Sequence, residues 1–378
     1  GKKFQKFDVI VVLNVYVPPF GKVHTLEVGD LSLFESRAIN RYLARKHKET
    51  GIDLLLCDDD EKCAIVDAWQ EVEAQQFNHP LTAIFSQIFV HPMREYTLAD
   101  HHIPGLVYFM RTSMAFWITS RPHVNAWWKD ISSSPASIKT NPVNKQVNGV
   151  AGLGSFPSTF HSKMAVRKVY GTLWSTETLR VIASLHEHEL DFEFIPVDVV
   201  SGDLQREPLL SLNPFGEVPV FQDGDLILIE SRAAMRYMAF EYPAPGKEHV
   251  FKDPLLQGIV AGWIDIEDHQ FDPPAFKLIN ELVLQPKRGM KPDQAIVTDA
   301  ETKLGCVLDI YEERLTKLKY LAGDVFTSAD LTHVPDLYFL KGSPAKALIE
   351  SRPHVKTWCE EIMARPTWTK VQELMAKA

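Results

Sequence analysis

One block of this sequence occurs twice, and this repeat constrains the fold more than any other feature. Pro19-Phe20-Gly21 recurs as Pro214-Phe215-Gly216, and Glu35-Ser36-Arg37-Ala38 recurs as Glu230-Ser231-Arg232-Ala233, both displaced by 195 positions. Further matches follow in the same order: Trp69, Glu73, Phe77 and Pro80 correspond to Trp263, Glu267, Phe271 and Pro274, and residues 120–124 correspond to residues 351–355. Ordered matches over this length predict a duplicated structural unit.

The two copies are unequal in length. The displacement grows from 194 positions at Trp263 to 230 positions at Asp330, so the first copy lacks about 36 residues of the second. It also has no match to Lys168–Ile195, the opening of the second copy. Between the copies, residues 131–163 are rich in Ser, Pro, Gly and Asn, which predicts a linker. We therefore expect an incomplete first copy and a complete second copy that begins near Met164.

Composition excludes several classes of protein. The chain has 378 residues, enough for two or more domains, and its net charge of -9 argues against nucleic acid as the main partner. No apolar run approaches the length of a membrane span and no leader peptide is visible, so we expect a cytoplasmic protein. The four cysteines are scattered, which predicts reduced thiols and neither a metal site nor a disulfide framework.

Local patterns in the second copy predict a mixed domain followed by helices. The expected order is β-α-β and then β-β-α, with these elements: strand Lys168–Tyr170, helix Thr178–Glu189, strand Phe192–Val197, hairpin strands Val218–Phe221 and Leu226–Ile229, and a helix from its N-cap Ser231 to about Phe240. Helical patterns then cover Pro254–Phe271, Ala295–Leu318 and the chain from Thr327. The spacing of Thr327 and Asp330, and of Thr97 and Asp100, predicts a capping box at the start of a buried helix in each copy.

The hairpin region suggests a peptide-binding surface. A strand entered through the Val218-Pro219 bond presents backbone groups with which an extended peptide can pair. The free N–H groups at the start of the helix near Ser231 attract a carboxylate.

These motifs, in this order and spacing, resemble those of the plant phi-class glutathione transferases. The resemblance covers essentially all of 164–378 and, with gaps, about 18–134. It implies an α/β plus all-α fold, in which a thioredoxin-like subdomain is followed by an all-helical subdomain, duplicated with the first copy incomplete. The implied domains are a partial thioredoxin-like domain (1–48), a truncated helical domain (55–134), a linker (135–165), a thioredoxin-like glutathione-binding domain (166–245) and a helical C-terminal domain (252–378).

The resemblance implies that Ser175 is the catalytic residue, donating a hydrogen bond to the glutathione sulfur. A free thiol has a pKa of about 8.5, and a hydroxyl donor at the positive end of a helix stabilises the reactive thiolate. The alternative is that Ser175 only caps the helix beginning near Thr176. The implied glutathione-binding residues are Ser175, Thr176, Leu204, Gln205, Glu217, Val218, Pro219, Glu230 and Ser231.

Within this implied site, Val218-Pro219 would be a cis-proline turn, Ser231 would bind the γ-glutamyl carboxylate and Glu230 the ammonium. Arg232 is assigned a structural role. The family usually has His-Lys and Gln where this chain has Leu204, Gln205 and Glu217. Losing a cation and gaining a carboxylate beside the glycyl carboxylate predicts glutathione affinity that is reduced roughly tenfold or more.

A second-substrate pocket is expected between the two subdomains. Its candidate residues are Trp174, Trp263, Phe271 and Phe276, with core packing as the favoured alternative for aromatic residues at helical spacing. The first copy retains Glu35 and Ser36 but places His24 where the cis-proline is expected, so we predict that it is catalytically silent.

The predicted function is conjugation of glutathione, the co-substrate, to hydrophobic electrophiles in detoxification, with no metal. Three alternatives stay open. The protein could carry hydrophobic ligands such as flavonoids without catalysis, or the first copy could act as an internal dimer partner in place of a homodimer. Alternatively, Met164 could be the true start of a separate protein.

Overall fold

A computed structural model describes residues 10–12, 25–28, 31–48, 55, 59–78, 122–123, 126, 166–243 and 253–377. The chain divides into two compact units, one formed by residues 1–71 with 162–378 and the other by residues 72–161. In the second unit, the described residues form a π-helical turn, Glu73–Asn78, and short helical pieces at 122–123 and 126. The predicted linker, His24 and the capping box at Thr97 lie outside the described residues.

Among the described residues, the first unit contains two sheets and fourteen α-helices. In chain order its strands are β1 (Ile10–Val12), β2 (Thr25–Val28), β3 (Leu31–Phe34), β4 (Arg167–Gly171), β5 (Phe192–Pro196), β6 (Val220–Asp223) and β7 (Leu226–Ile229). Its helices are α1 (Ser36–Lys46), α2 (Asp60–Val72), α3 (Thr176–Glu187), α4 (Leu209–Leu212), α5 (Ser231–Glu241), α6 (Pro254–Ile266), α7 (Asp272–Ile279), α8 (Gln285–Lys287), α9 (Gln294–Leu315), α10 (Ser328–Leu331), α11 (Val334–Lys341), α12 (Lys346–Glu350), α13 (Pro353–Met363) and α14 (Pro366–Ala376).

The second copy opens with a four-stranded sheet of order β5-β4-β6-β7. β4 is parallel to β5 and antiparallel to β6, as the β-α-β and β-β-α pattern predicts. α3 and α5 pack against each other and contribute to the core. A Cβ at Gly171, the last residue of β4, would lie 2.5 Å from Thr178 Oγ1, so this close approach of strand and helix requires glycine.

Several predicted boundaries in this domain are wrong. α3 covers Thr176–Glu187, two residues earlier at each end than the predicted helix Thr178–Glu189, and β5 ends at Pro196 and not at Val197. β6 begins at Val220 and not at Val218, because the cis peptide bond before Pro219 turns the chain just before the strand. Ser231 is the first residue of α5, and its N-cap is Glu230, at a φ of 68°.

The helical domain is built on a nearly continuous helical run from Pro254 to Lys287. Two π-helical turns, Glu267–Phe271 and Asn280–Leu284, interrupt this run. The prolines of α7 and α8 directly follow these π-helical turns, where the regular hydrogen-bond ladder is already interrupted. The domain's core centres on Tyr311, which contacts Trp263, Phe271, Trp358 and His333.

The predicted capping box at Thr327 is present. Asp330 accepts hydrogen bonds from Thr327 N and from Trp358 Nε1, each at 3.0 Å. Burial raises the pKa of Asp330 to about 6, although these bonds oppose the rise. The motif is therefore a folding signal that fixes α10 in the core.

The first copy repeats part of this architecture at the same displacement as the sequence. β2, β3 and α1 correspond to β6, β7 and α5, each 195 positions earlier, and Glu35 has a φ of 67° like its counterpart Glu230. These matches support the interpretation of a duplicated unit.

The first copy also has a strand where no counterpart of the opening strand was expected. β1 pairs antiparallel with β2, with Val11 opposite Leu26, as Val169 of β4 lies opposite Phe221 of β6. The expectation that the first copy lacks any equivalent of β4 is therefore wrong. Sequence comparison misses it because strand pairing needs backbone groups and not particular side chains.

The cysteines depart from expectation at one position. Cys63 in α2 is disulfide-bonded, whereas Cys306 and Cys359 are free thiols.

Candidate active site

Ser175 lies at the N-terminus of α3 and is partly exposed. Its Oγ accepts a hydrogen bond from Thr178 N at 3.0 Å, which is an N-cap, and donates one to Glu177 Oε2 at 2.7 Å. Ser175 is therefore the N-cap of α3, as the alternative interpretation expected. The same position places its hydroxyl at the positive end of the helix. The neighbouring Thr176 is buried, and its Oγ1 has no hydrogen-bond partner among the described residues.

The loop before β6 carries the predicted cis peptide bond between Val218 and Pro219. Buried Asn213 holds this loop, because its Nδ2 donates to Glu217 O at 2.8 Å and its Oδ1 accepts from Phe215 N at 3.0 Å. The turn thus has a fixed backbone, as a peptide-binding edge requires.

The positions that depart from the family pattern gather beside this loop. Leu204 and Gln205 lie on a 3-10 turn, Asp203–Gln205, and the Gln205 side chain rests against Gly216, where a Cβ would lie 2.5 Å from Gln205 Nε2. Glu217 is exposed at the loop surface. At these positions this chain has Leu204, the Gln205 amide and the Glu217 carboxylate, whereas the family usually has His-Lys and Gln.

Glu230 and Ser231 sit at the start of α5 with an extensive ion-pair network behind them. Ser231 Oγ accepts from Arg180 Nη1 at 3.3 Å. Arg232 forms a bidentate pair with Glu267, at 2.7 and 3.0 Å, and contacts Asp268 at 2.8 Å. The structural role expected for Arg232 agrees with these contacts.

The carboxyl group of Glu230 has a strongly raised pKa. Burial is the main cause, and the carboxylates of Glu71, Glu217 and Asp268 add to it, while Arg232 opposes it, leaving a pKa of about 7. A group crowded by like charge gains most from a cationic ligand, because the cation removes the repulsion.

The four aromatic candidates occupy different environments. Trp263 is 1% exposed and Phe271 0% exposed, so both are core residues and not walls of an accessible pocket. Trp174 and Phe276 are about half exposed, and Lys287 Nζ lies 3.5 Å above the Trp174 ring. In the described part of the chain, Phe276 lines a separate recess with Ile296 and Ala295.

Three carboxylates near this site lie as close together as the ligands of a metal ion. Oxygens of Glu267, Asp272 and Asp336 lie within 4.8 Å of one another. Arg180 Nη2 donates to all three, at 3.2, 2.9 and 2.9 Å, so an arginine already occupies the cation position.

The described part of the first copy packs on the second copy through reciprocal contacts. Arg41 of α1 donates to Asp265 of α6 at 3.4 Å, and Arg236 of α5 donates to Glu71 of α2. Arg41 corresponds to Arg236 in the repeat, and Glu71 corresponds to Asp265. Each copy therefore offers the same arginine to the same acidic position of the other, which is the arrangement of a two-fold interface.

Sequence analysis missed Arg180, Glu177 and His269 as contributors to this region. The available signal was Arg180 itself, a charged residue in the otherwise apolar run Leu179–Ala183, which indicates a buried charge with partners. Its carboxylate partners come from three distant elements, so the sequence cannot identify them.

Family comparisons match the second copy. The sequence model "Glutathione S-transferase, N-terminal domain" matches residues 165–239, and the model "Glutathione S-transferase, C-terminal domain" matches residues 273–366. Glutathione S-transferase of Hyoscyamus muticus is 48% identical over 206 residues, covering 54% of this chain and 97% of the relative. Glutathione S-transferase PARB of Nicotiana tabacum is 49% identical over 210 residues, covering 56% and 99%.

Solved structures of glutathione transferases also resemble this chain. Glutathione transferase F7 from Populus trichocarpa has a TM-score of 0.53 and 42% identity, covering 55% of this chain and 98% of that one. Glutathione S-transferase I from maize, in complex with an atrazine glutathione conjugate, has a TM-score of 0.53 and 35% identity, covering 56% and 99%. Glutathione S-transferase I bound with lactoylglutathione has a TM-score of 0.52 and 36% identity, covering 56% and 100%.

A thioredoxin-like sheet domain followed by an all-helical domain is the architecture of glutathione S-transferases. The chain belongs to the glutathione S-transferase family, and its relatives are plant phi-class enzymes. It is a glutathione transferase with glutathione as co-substrate. Among the described helices, none combines the length and apolar character needed to cross a bilayer.

Proposed function

We propose that the second copy, with a glutathione-binding domain at 166–245 and a helical domain at 252–378, conjugates glutathione to hydrophobic electrophiles. The observation that carries this proposal is that one sheet domain presents Ser175 at the start of α3, the cis-Pro219 turn, and Glu230 with Ser231 at the start of α5. Structures of relatives that hold an atrazine conjugate and lactoylglutathione support a thiol site of this kind.

Each part of the site has a chemical role. The Val218-Pro219 edge pairs with the cysteinyl backbone, Ser231 and the α5 N-terminus bind the γ-glutamyl carboxylate, and Glu230 binds the ammonium. Thr176, Leu204, Gln205 and Glu217 border the rest of the tripeptide. Glutathione loses its thiol proton to solvent, the sulfur forms a bond to the electrophilic carbon, and the leaving group departs with its electron pair.

Ser175 acts as a hydrogen-bond donor to the thiolate and not as a nucleophile. Its proton points to Glu177 in the structure, so the hydroxyl rotates toward the sulfur when glutathione binds. The donor and the helix terminus together lower the thiol pKa. Trp174 and Phe276 remain as candidates for contact with the electrophile because they are the exposed members of the aromatic set.

The test compares turnover of an aryl-halide electrophile by the full chain and two Ser175 variants. Ser175→Ala removes both the donor and the helix cap, whereas Ser175→Asp keeps the cap and removes the donor. We expect both variants to lose about 10²-fold in kcat/KM. Ser201→Ala, on an exposed loop, is the control.

If Ser175→Asp retained wild-type turnover, Ser175 would be only a cap and the catalytic assignment would be wrong. If the wild type bound hydrophobic ligands but neither bound nor used glutathione, the substitutions at Leu204, Gln205 and Glu217 would have produced a carrier.

A second role, for the first copy, is favoured by the reciprocal arginine contacts. We infer that its partial thioredoxin-like domain (1–48) and the start of its truncated helical domain (55–134) act as an internal dimer partner, joined by a linker (135–165). This copy has no donor equivalent to Ser175 among its described residues and is proposed to be silent in catalysis.

A further inference from the structure

α5 contributes to the proposed glutathione site at its first residue and touches the first copy one turn later. Ser231 opens the helix, and Arg236, five residues on, donates to Glu71 of the first copy and lies 3.7 Å from Asp67. The helix that would bind the γ-glutamyl group therefore also forms ion pairs with the first copy.

A second connection reaches the start of the same helix. Arg37 of α1 donates from Nη1 to His269 Nε2 at 3.3 Å, and His269 Nε2 lies 3.6 Å from Asp268. Asp268 contacts Arg232 Nη1 at 2.8 Å, and Arg232 directly follows Ser231. The path from the first copy to the proposed site therefore runs through three side-chain contacts.

The geometry of His269 fixes the direction of this path. Its Nδ1 donates to Asp265 O at 2.7 Å, so in the neutral ring Nε2 accepts from Arg37 and lies beside Asp268 without a hydrogen bond to it. Arg232 is held on both sides, because Glu267 binds it in bidentate fashion while Asp268 contacts its third nitrogen. Arg232 directly follows Ser231, so a displacement of Arg232 also displaces Ser231 through the backbone.

We propose that the first copy is a built-in positioning partner for the γ-glutamyl subsite of the second copy, with Arg37 acting through His269, Asp268 and Arg232. This inference rests on the proposed function, since it assigns regulation of that same site. Arg37 is a positioning residue, because its contact with His269 reaches the subsite through other side chains.

The test uses two ligands that differ only in the γ-glutamyl group. Calorimetry measures binding of S-methylglutathione and of S-methyl-cysteinylglycine to the full chain, to Arg37→Met and to Lys46→Met. Lys46 is the matched control, because it is a cation of the same helix and contacts Tyr42 one turn earlier in that helix. Steady-state kinetics with glutathione accompany the binding measurements.

Arg37→Met is expected to weaken S-methylglutathione about fivefold, with no change for S-methyl-cysteinylglycine. KM for glutathione rises by the same factor, whereas kcat and KM for the electrophile stay within twofold. Lys46→Met leaves all these values at wild type. Adding His269→Gln to Arg37→Met produces no further loss, because both act on one path.

Two results would overturn the proposal. An equal loss of affinity for both ligands in Arg37→Met would indicate a general structural effect, and no loss for either would show that Arg37 does not act on the subsite. The proposed function fails differently, through a wild-type chain that binds S-methylglutathione but does not turn over glutathione. In that case the ligand comparison still decides the role of Arg37.

Discussion

Burial and nearby carboxylates raise the pKa of Glu230, and a bound cationic ligand would oppose this effect. Its pKa of about 7 means that near neutral pH its carboxyl group is only partly ionised. In the unfolded chain it ionises near 4.5, so the folded chain loses stability as the pH rises through about 7. An ammonium group bound to Glu230 favours the ionised form and opposes this loss.

We therefore expect affinity for S-methylglutathione, which has no free thiol, to fall about tenfold between pH 8 and pH 6. Protonation of Glu230 at the lower pH removes the charge that binds the ammonium. Calorimetric titrations across this range measure the effect.

Two variants test the assignment of this pH dependence. Glu230→Gln is expected to bind weakly at every pH, and Glu217→Gln is expected to shift the midpoint to lower pH by removing one repulsive neighbour. A wild-type affinity that does not change over the range would contradict the role of Glu230.

At the residue scale, sequence patterns locate groups but not their partners. The approach of Ser175 and Ser231 to helix starts was predictable from local motifs, and the cis bond at Pro219 was predictable from the family resemblance. The pairing of Arg232 with Glu267 and Asp268 was not, because those residues belong to another domain of the second copy. Burial of Trp263 and Phe271 depends on tertiary packing that helical spacing alone does not distinguish from a pocket wall.

Among elements, the contact of α1 with α6 depends on close approach and buried charge. A Cβ at Gly258 would lie 3.2 Å from Leu33, and Phe34 packs edge-on against Trp263 at 5.7 Å between ring centroids. Arg41 is buried beside Asp67, Glu71 and Asp265. Removing one member of such a set leaves charge without compensation in the interior.

Arg41→Met is expected to lower the free energy of unfolding by about 3–5 kcal/mol, measured by denaturant titration. Lys303→Met, which breaks the exposed pair with Asp299, is the control and should cost at most about 0.5 kcal/mol. Equal effects of the two substitutions would show that the Arg41 cluster does not hold the copies together.

Element prediction succeeded where amphipathic pattern and backbone chemistry agree, as in α3, α5 and the hairpin of β6 and β7. It failed at β1, whose three residues pair with β2 without resembling the opening strand of the second copy. It also could not foresee that α6 and α7 form one helical run, because π-helical turns have no simple sequence signature.

For the whole molecule, the reciprocal contacts predict a monomer. The first copy covers a two-fold face of the second copy, so a second chain cannot use that face. Light scattering of the full chain should give a mass near 42.9 kDa that does not change with concentration.

A variant that displaces the first copy provides the contrast. Phe34→Asp with Arg41→Asp places carboxylates against Trp263 and Asp265, and we expect this chain to associate into dimers through the exposed face. A wild-type mass of twice the monomer would contradict the internal pairing.

The reciprocal interface also changes what a mutation can do. When two identical chains pair about a two-fold axis, one substitution alters both sides of every contact at once. In this chain the two sides of the interface are encoded separately, and they already differ. Glu71 corresponds to the shorter Asp265 in the repeat, and Asp67 corresponds to Ala261. Selection can therefore change the first copy as a support for the second copy, without repeating each change in the second copy.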